Sequence, residues 1–119
     1  MELTLVEQIE VTFRAVRKIR PNAQFSISDN DLDSIVWENG DTPIAKADIE
    51  AQISSAEFDV KIKKLRAKRD ELIAETDHLA LSDRTLSTEM ATYRQALRDI
   101  TEGLTTAAQV DAVTWPTKP

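Results

Sequence analysis

The chain has 119 residues, 41% of them hydrophobic and 30% charged, with only two glycines. It is long enough for one domain, too apolar for a disordered chain, and too charged for a membrane span. The net charge is −6 and there is no cysteine, which excludes a disulfide framework, a thiolate nucleophile and cysteine metal sites.

The charge is uneven along the chain. Residues 1–43 hold 4 basic and 8 acidic side chains, residues 44–76 hold 7 and 7, and residues 77–119 hold 4 and 6. No segment is net basic, so the phosphate neutralisation that drives nucleic-acid binding has no support, and no nucleic-acid partner is expected. No stretch approaches the roughly 20 apolar residues of a spanning helix, so no membrane partner is expected either. The opening, MELTLVEQIEV, has no basic region ahead of its apolar residues and is interrupted by acids. It does not read as a signal peptide, and cytoplasm is the expected compartment.

Thr4 to Ile19 predicts a first helix. Thr4 and Glu7 form a capping-box pattern, Leu5, Ile9, Phe13 and Val16 recur at helical spacing, and Pro21 ends the run. Gln24 to Ile27 alternates polar and apolar, as does the run toward Ile35–Val36–Trp37, with a turn cluster at residues 28–31. This predicts a two-stranded hairpin packed on helix one. Trp37 is expected to close that small core.

Asn39–Gly40–Asp41 is a second turn, and Thr42–Pro43 suits a helix start. From Ile44 to Glu75 there is neither Gly nor Pro. A continuous helix there measures about 48 Å, so the molecule is expected to be elongated. Ile49, Ile53, Ala56 and Val60 fall on one stripe, and Phe58, Ile62, Leu65 and Leu72 on another, nearly opposite. Either the segment breaks near Ser54–Ser55, where Ser54 and Glu57 form a second capping-box pattern, or it is continuous and packs different partners at its two ends. The first stripe is expected to cover the N-terminal hairpin or to bind another chain.

Leu86, Met90, Tyr93, Leu97, Ile100 and Leu104 repeat at heptad spacing before and just past Gly103. They predict a third helix ending at Thr101, joined by a short loop to the second as an antiparallel pair centred on residue 81. The segment after it, through Val110, Val113 and Trp115–Pro116, reads as extended. The fold class is therefore mainly α with a small β-hairpin. An N-terminal helix and hairpin module (1–43) precedes a helical hairpin with an extended tail (44–119).

No residue pattern carries catalysis. The run Lys61, Lys63, Lys64, Arg66, Lys68, Arg69 spreads around a helix rather than forming a stripe, and reads as solvated surface. Arg69 lies within the apolar stripe, where its stem can lie along the seam. His78 is the only histidine, with Asp77 and Asp83 near it in sequence, and its expected role is at a helix end rather than in a metal site. No nucleophile–base pattern and no phosphate-cradling loop is present. The expectation is no enzyme, with catalytic, metal and cofactor-binding residues all absent.

Three ordered segments carry a resemblance: residues 69–77 (Arg69–Asp–Glu–Leu–Ile–Ala–Glu–Thr–Asp77), residues 91–101 (Ala91–Thr–Tyr–Arg–Gln–Ala–Leu–Arg–Asp–Ile–Thr101), and residues 115–119 (Trp115–Pro–Thr–Lys–Pro119). From about residue 65 to 119 the chain resembles the tail assembly chaperones of tailed bacteriophages, small tail-fibre assembly proteins. His78 and Met90 stand where that family commonly carries Trp. The resemblance implies a non-enzymatic chaperone, or a small virion component, that binds a tail-fibre or other tail protein. Its place is the host-cell cytoplasm during assembly, or the finished tail. Fibres are typically trimers, so a threefold or asymmetric stoichiometry is an expectation. A small helical regulator or nucleic-acid-associated protein is the alternative.

The residues expected to bind the partner are Tyr93, Arg94, Arg98, Trp115 and Pro116. Trp115 supplies a large apolar surface, the prolines limit the conformations of the tail, and Arg94 and Arg98 are four apart on one helix. The competing internal reading has Trp115 folded back on the hairpin.

Overall fold

The computed structural model describes residues 2–81 and 83–119. By their contacts the residues group into two units, Met1–Lys61 and Ile62–Pro119.

In the first unit, α1 spans Leu5–Ile19. The Glu7 amide donates to Thr4 Oγ1 at 3.2 Å and the Thr4 amide to Glu7 Oε1 at 2.9 Å, closing the capping box that the sequence predicts. The helix buries Val11, Thr12, Ala15 and Val16. Arg20 leaves it in an extended conformation, as a residue before proline must. Strands β1 (Phe25–Ser26) and β2 (Val36–Trp37) then pair antiparallel, Phe25 opposite Trp37 and Ser26 opposite Val36.

The hairpin turn is held by side chains. Asp29 and Asn30 adopt φ of 52° and 54°, a left-handed conformation that Asp and Asn tolerate best among residues with a side chain. The Thr12 hydroxyl donates to Asn30 Oδ1 at 2.6 Å, which ties this turn to α1. A 3-10 turn over Leu32–Ser34 follows. Two strands this short are marginal in water, and the cover comes from Phe25, which stacks on Phe13 at 4.5 Å and meets Trp37 at 5.5 Å.

Helix α2 runs unbroken over Lys46–Ala74. Of the two alternatives left open by the sequence, the continuous helix is the one observed. Ile49, Ala56 and Val60 are buried in one core with Val11, Ala15, Val16 and Phe25, and Ile53 packs at its edge. The first stripe therefore covers the N-terminal elements. Ile62 and Leu65, from the second stripe, are buried in the second unit.

In that unit a 3-10 turn, Asp77–Ala80, follows α2, and α3 spans Thr88–Arg98. Ser87 caps α3 by accepting from the Met90 amide at 3.1 Å. Met90, Tyr93 and Leu97 form the core, with Leu72 and Ile73 of α2 packed against it. Helix α3 stops at Asp99, short of the expected Thr101, and Gly103 turns the chain at φ 75°. A helix that the sequence reading did not anticipate, α4 (Ala107–Asp111), comes next and buries Val110.

Candidate functional site

Residues 113–119 carry neither helix nor strand and lie back on the helical pair. Trp115 is half-buried and packs against the Met90–Tyr93–Leu97 cluster. The Lys68 ammonium sits 4.7 Å from the centre of its ring, a cation–π contact at partly exposed geometry. Lys118 Nζ lies 3.8 Å from Glu75 Oε1. The tail is thus tied at two of its residues, three apart: Trp115 to α2, and Lys118 to Glu75 just past the end of α2.

Between α3 and the tail runs an open groove of about 460 Å³, lined mostly by carbon from Thr88, Thr92, Tyr93, Ala96, Pro116 and Pro119. Tyr93 is otherwise buried. Among the described residues, 114–119 make no backbone hydrogen bond.

Arg94 points the other way. It is 5% exposed. Its Nη1 donates to the Ile73 carbonyl at 3.1 Å and to Thr76 Oγ1 at 2.6 Å, and its Nη2 to Asp77 Oδ1 at 2.9 Å. The Ile73 carbonyl also accepts from the Thr76 amide at 3.1 Å and the Thr76 hydroxyl at 3.2 Å, so the guanidinium adds to a bonded turn at the C-terminal end of α2, where a cation is favoured. Its Nε is buried without a hydrogen-bond partner. Arg98 is exposed, with Nη1 3.4 Å from Gln95 Oε1. The two arginines therefore do not present one joint surface. Arg69 pairs with its neighbour Asp70 at 2.9 Å, and His78 is exposed in the 3-10 turn. Among the described residues no group of three or more His, Cys, Asp or Glu could hold a metal ion.

Residues 62–119 match the family model of the phage tail assembly chaperone protein. This C-terminal unit belongs to that family. The match begins at Ile62, the same residue at which the second compact unit begins. No curated protein and no solved structure matches the chain significantly.

Within the chaperone-family unit the three segments that carry the resemblance meet. The first ends α2 and forms the Thr76–Asp77 turn. The second is α3, and its Arg94 bonds to that turn. The third is the tail, and its Trp115 packs on Tyr93 and its neighbours. What the sequence reading missed was the inward turn of Arg94 and the existence of α4. Both had a signal: the closeness of Arg94 to the apolar seam, and the capping box between Thr106 and Gln109.

Proposed function

We propose that this chain acts without catalysis in phage tail assembly, holding a tail-fibre or other tail protein through its helical hairpin and tail (the 44–119 part). The partner surface is the groove between α3 and the tail, with Tyr93 and Pro116 in its lining, Trp115 anchoring the tail beside it, and Arg98 at the exposed end of α3. Arg94 serves it as a positioning residue, by fixing the turn that α3 leans on. The observation that supports this reading is that the second and third family-like segments flank one open, mostly apolar groove, while the first is bonded to the second through Arg94. The bound state forms in the host cytoplasm, and some copies stay on the finished tail.

The test is co-expression with the adjacent tail-fibre protein, followed by sizing of the complex, which also reads a threefold or asymmetric stoichiometry. Thr92→Arg fills the groove from an exposed position and leaves the core alone. The expected result is an unchanged melting temperature with at least about tenfold weaker capture, the equivalent of about 1.4 kcal/mol. Normal capture by Thr92→Arg would remove the groove from the mechanism.

A further inference from the structure

Three side chains on one face of the α2 end meet the tail. Lys68, Leu72 and Glu75 are spaced four and three apart, and the Glu75 amide still donates to the Glu71 carbonyl at 3.1 Å, so the helical turn carries through to it. The Lys68 ammonium lies over the Trp115 ring, 4.7 Å from its centre. Leu72 and Trp115 pack against the same Met90–Tyr93–Leu97 cluster. Lys118 Nζ reaches Glu75 Oε1 at 3.8 Å.

The lengths agree. From Lys68 to Glu75 a helix rises about 10.5 Å, and the three steps of extended chain from Trp115 to Lys118 cover about 9–10 Å. The two contacts together select one register. Moved by one residue, the tail would offer Thr114 or Pro116 to Lys68 and Thr117 or Pro119 to Glu75. None of these is an aromatic ring for the ammonium or a cation for the carboxylate.

Little else holds the tail. Among the described residues, 114–119 make no backbone hydrogen bond. Thr117, Lys118 and Pro119 are exposed, and Trp115 is half-buried. Ordering such a segment costs about as much as half an indole's burial returns. Contacts of modest strength therefore decide how often the tail is docked.

We propose that Lys68 and Glu75 are positioning residues for the partner groove: they seat the tail in the register that brings Pro116 and Pro119 into the lining with Thr92 and Tyr93. The inference rests on the groove being the partner surface. Neither Lys68 nor Glu75 lines that groove, so each acts on it through the tail. The apparent affinity for the partner scales with the docked fraction of the tail, and charge on α2 thereby controls an apolar site.

Fluorescence of the full chain carrying Trp37→Phe tests it, since the chain has two tryptophans and Trp115 is then the one reporter. Lys68→Met keeps an apolar stem and removes the charge. The expected result is red-shifted Trp115 emission in the free protein and a nearly unchanged melting temperature. Binding of the purified tail-fibre protein should weaken about two- to fivefold, the effect of one exposed cation–π contact. Lys68→Arg keeps the cation and should restore both readouts. Glu75→Lys should also shift the emission to the red, and Glu75→Lys with Lys118→Glu should reverse that shift. Thr92→Arg tests the groove by binding, whereas emission is read without the partner, so failure of the groove and failure of the seating are separate results. Emission unmoved by both Lys68→Met and Glu75→Lys, a loss that Lys68→Arg shares, or shifted emission with undiminished binding where Thr92→Arg does weaken it each overturns the proposal.

Discussion

Arg94 is the one buried cation among the described residues of the second unit. Its partners differ in kind. The Ile73 carbonyl and Thr76 hydroxyl are withdrawn from water, whereas the Asp77 side chain is 61% exposed. Removing the guanidinium takes two hydrogen bonds from this buried turn, while the Ile73 carbonyl keeps the Thr76 amide and hydroxyl as donors. An exposed carboxylate is screened and contributes little. Arg94→Met should therefore cost about 1–3 kcal/mol in denaturant unfolding, from the lost charged hydrogen bonds and stem packing. Asp77→Asn should cost less than about 1 kcal/mol. Equal losses from the two variants would mean that the ion pair, rather than the capped helix end, holds the turn. The inward role was partly legible beforehand. On α3, Arg94 lies about 40° beyond Met90, next to the edge of the apolar arc, and Arg98 about 80° beyond it, farther toward solvent. Spacing of four told that the two were close neighbours along the helix, and only the arc told which one turned in.

At the scale of elements, α1, the strand pair and α2 were legible because each carries a period and a stop. The capping box of α1 and the turn chemistry at residues 28–31 gave the bounds almost to the residue. Helix α4 was not legible by period, since its five residues make less than two turns. The continuity of α2 was left open because propensity permits both a break and a helix at Ser54, and packing decides. Leu97 is fully buried in the α3 core, and Leu97→Ala should cost about 2–5 kcal/mol, read as a shift of the unfolding midpoint. Thr106→Ala removes only a cap and should cost about 1 kcal/mol. The start of α2 makes a different prediction. The Asp33 side chain hydrogen-bonds Lys46 at 3.1 Å and, with its charge, raises the Lys46 pKa from the usual 10.5, with Glu50 and Asp31 adding to the effect. A raised folded pKa means stability that is fully present below pH 10.5 and is lost as pH rises through the higher value. Lys46→Gln should melt slightly below the parent at pH 9 and converge with it as Lys46 loses its proton. A gap between the two that widens with alkalinity contradicts this.

The whole molecule holds one tryptophan in each unit, Trp37 at the edge of the first core and Trp115 against the second. Both were recognisable as anchors from the sequence, the first by its place in a strand and the second by the prolines that follow it. What the sequence could not supply was the place of division. Composition and turn residues mark residues 39–43, whereas contacts divide the chain at 61/62, in the middle of a helix with no residue signal at all. That placement has a consequence for proteolysis. Limit cleavage favours exposed, irregular chain, and a boundary inside a helix offers none. Lys61 is 6% exposed and Lys63 and Lys64 are helical, so trypsin should pass them over. Arg84 is exposed between the 3-10 turn and α3, and the first cut should fall after it. Since Leu72 and Ile73 on one side of that cut pack against Met90, Tyr93 and Leu97 on the other, the nicked protein should still elute as one species and part into two peptides only in denaturant.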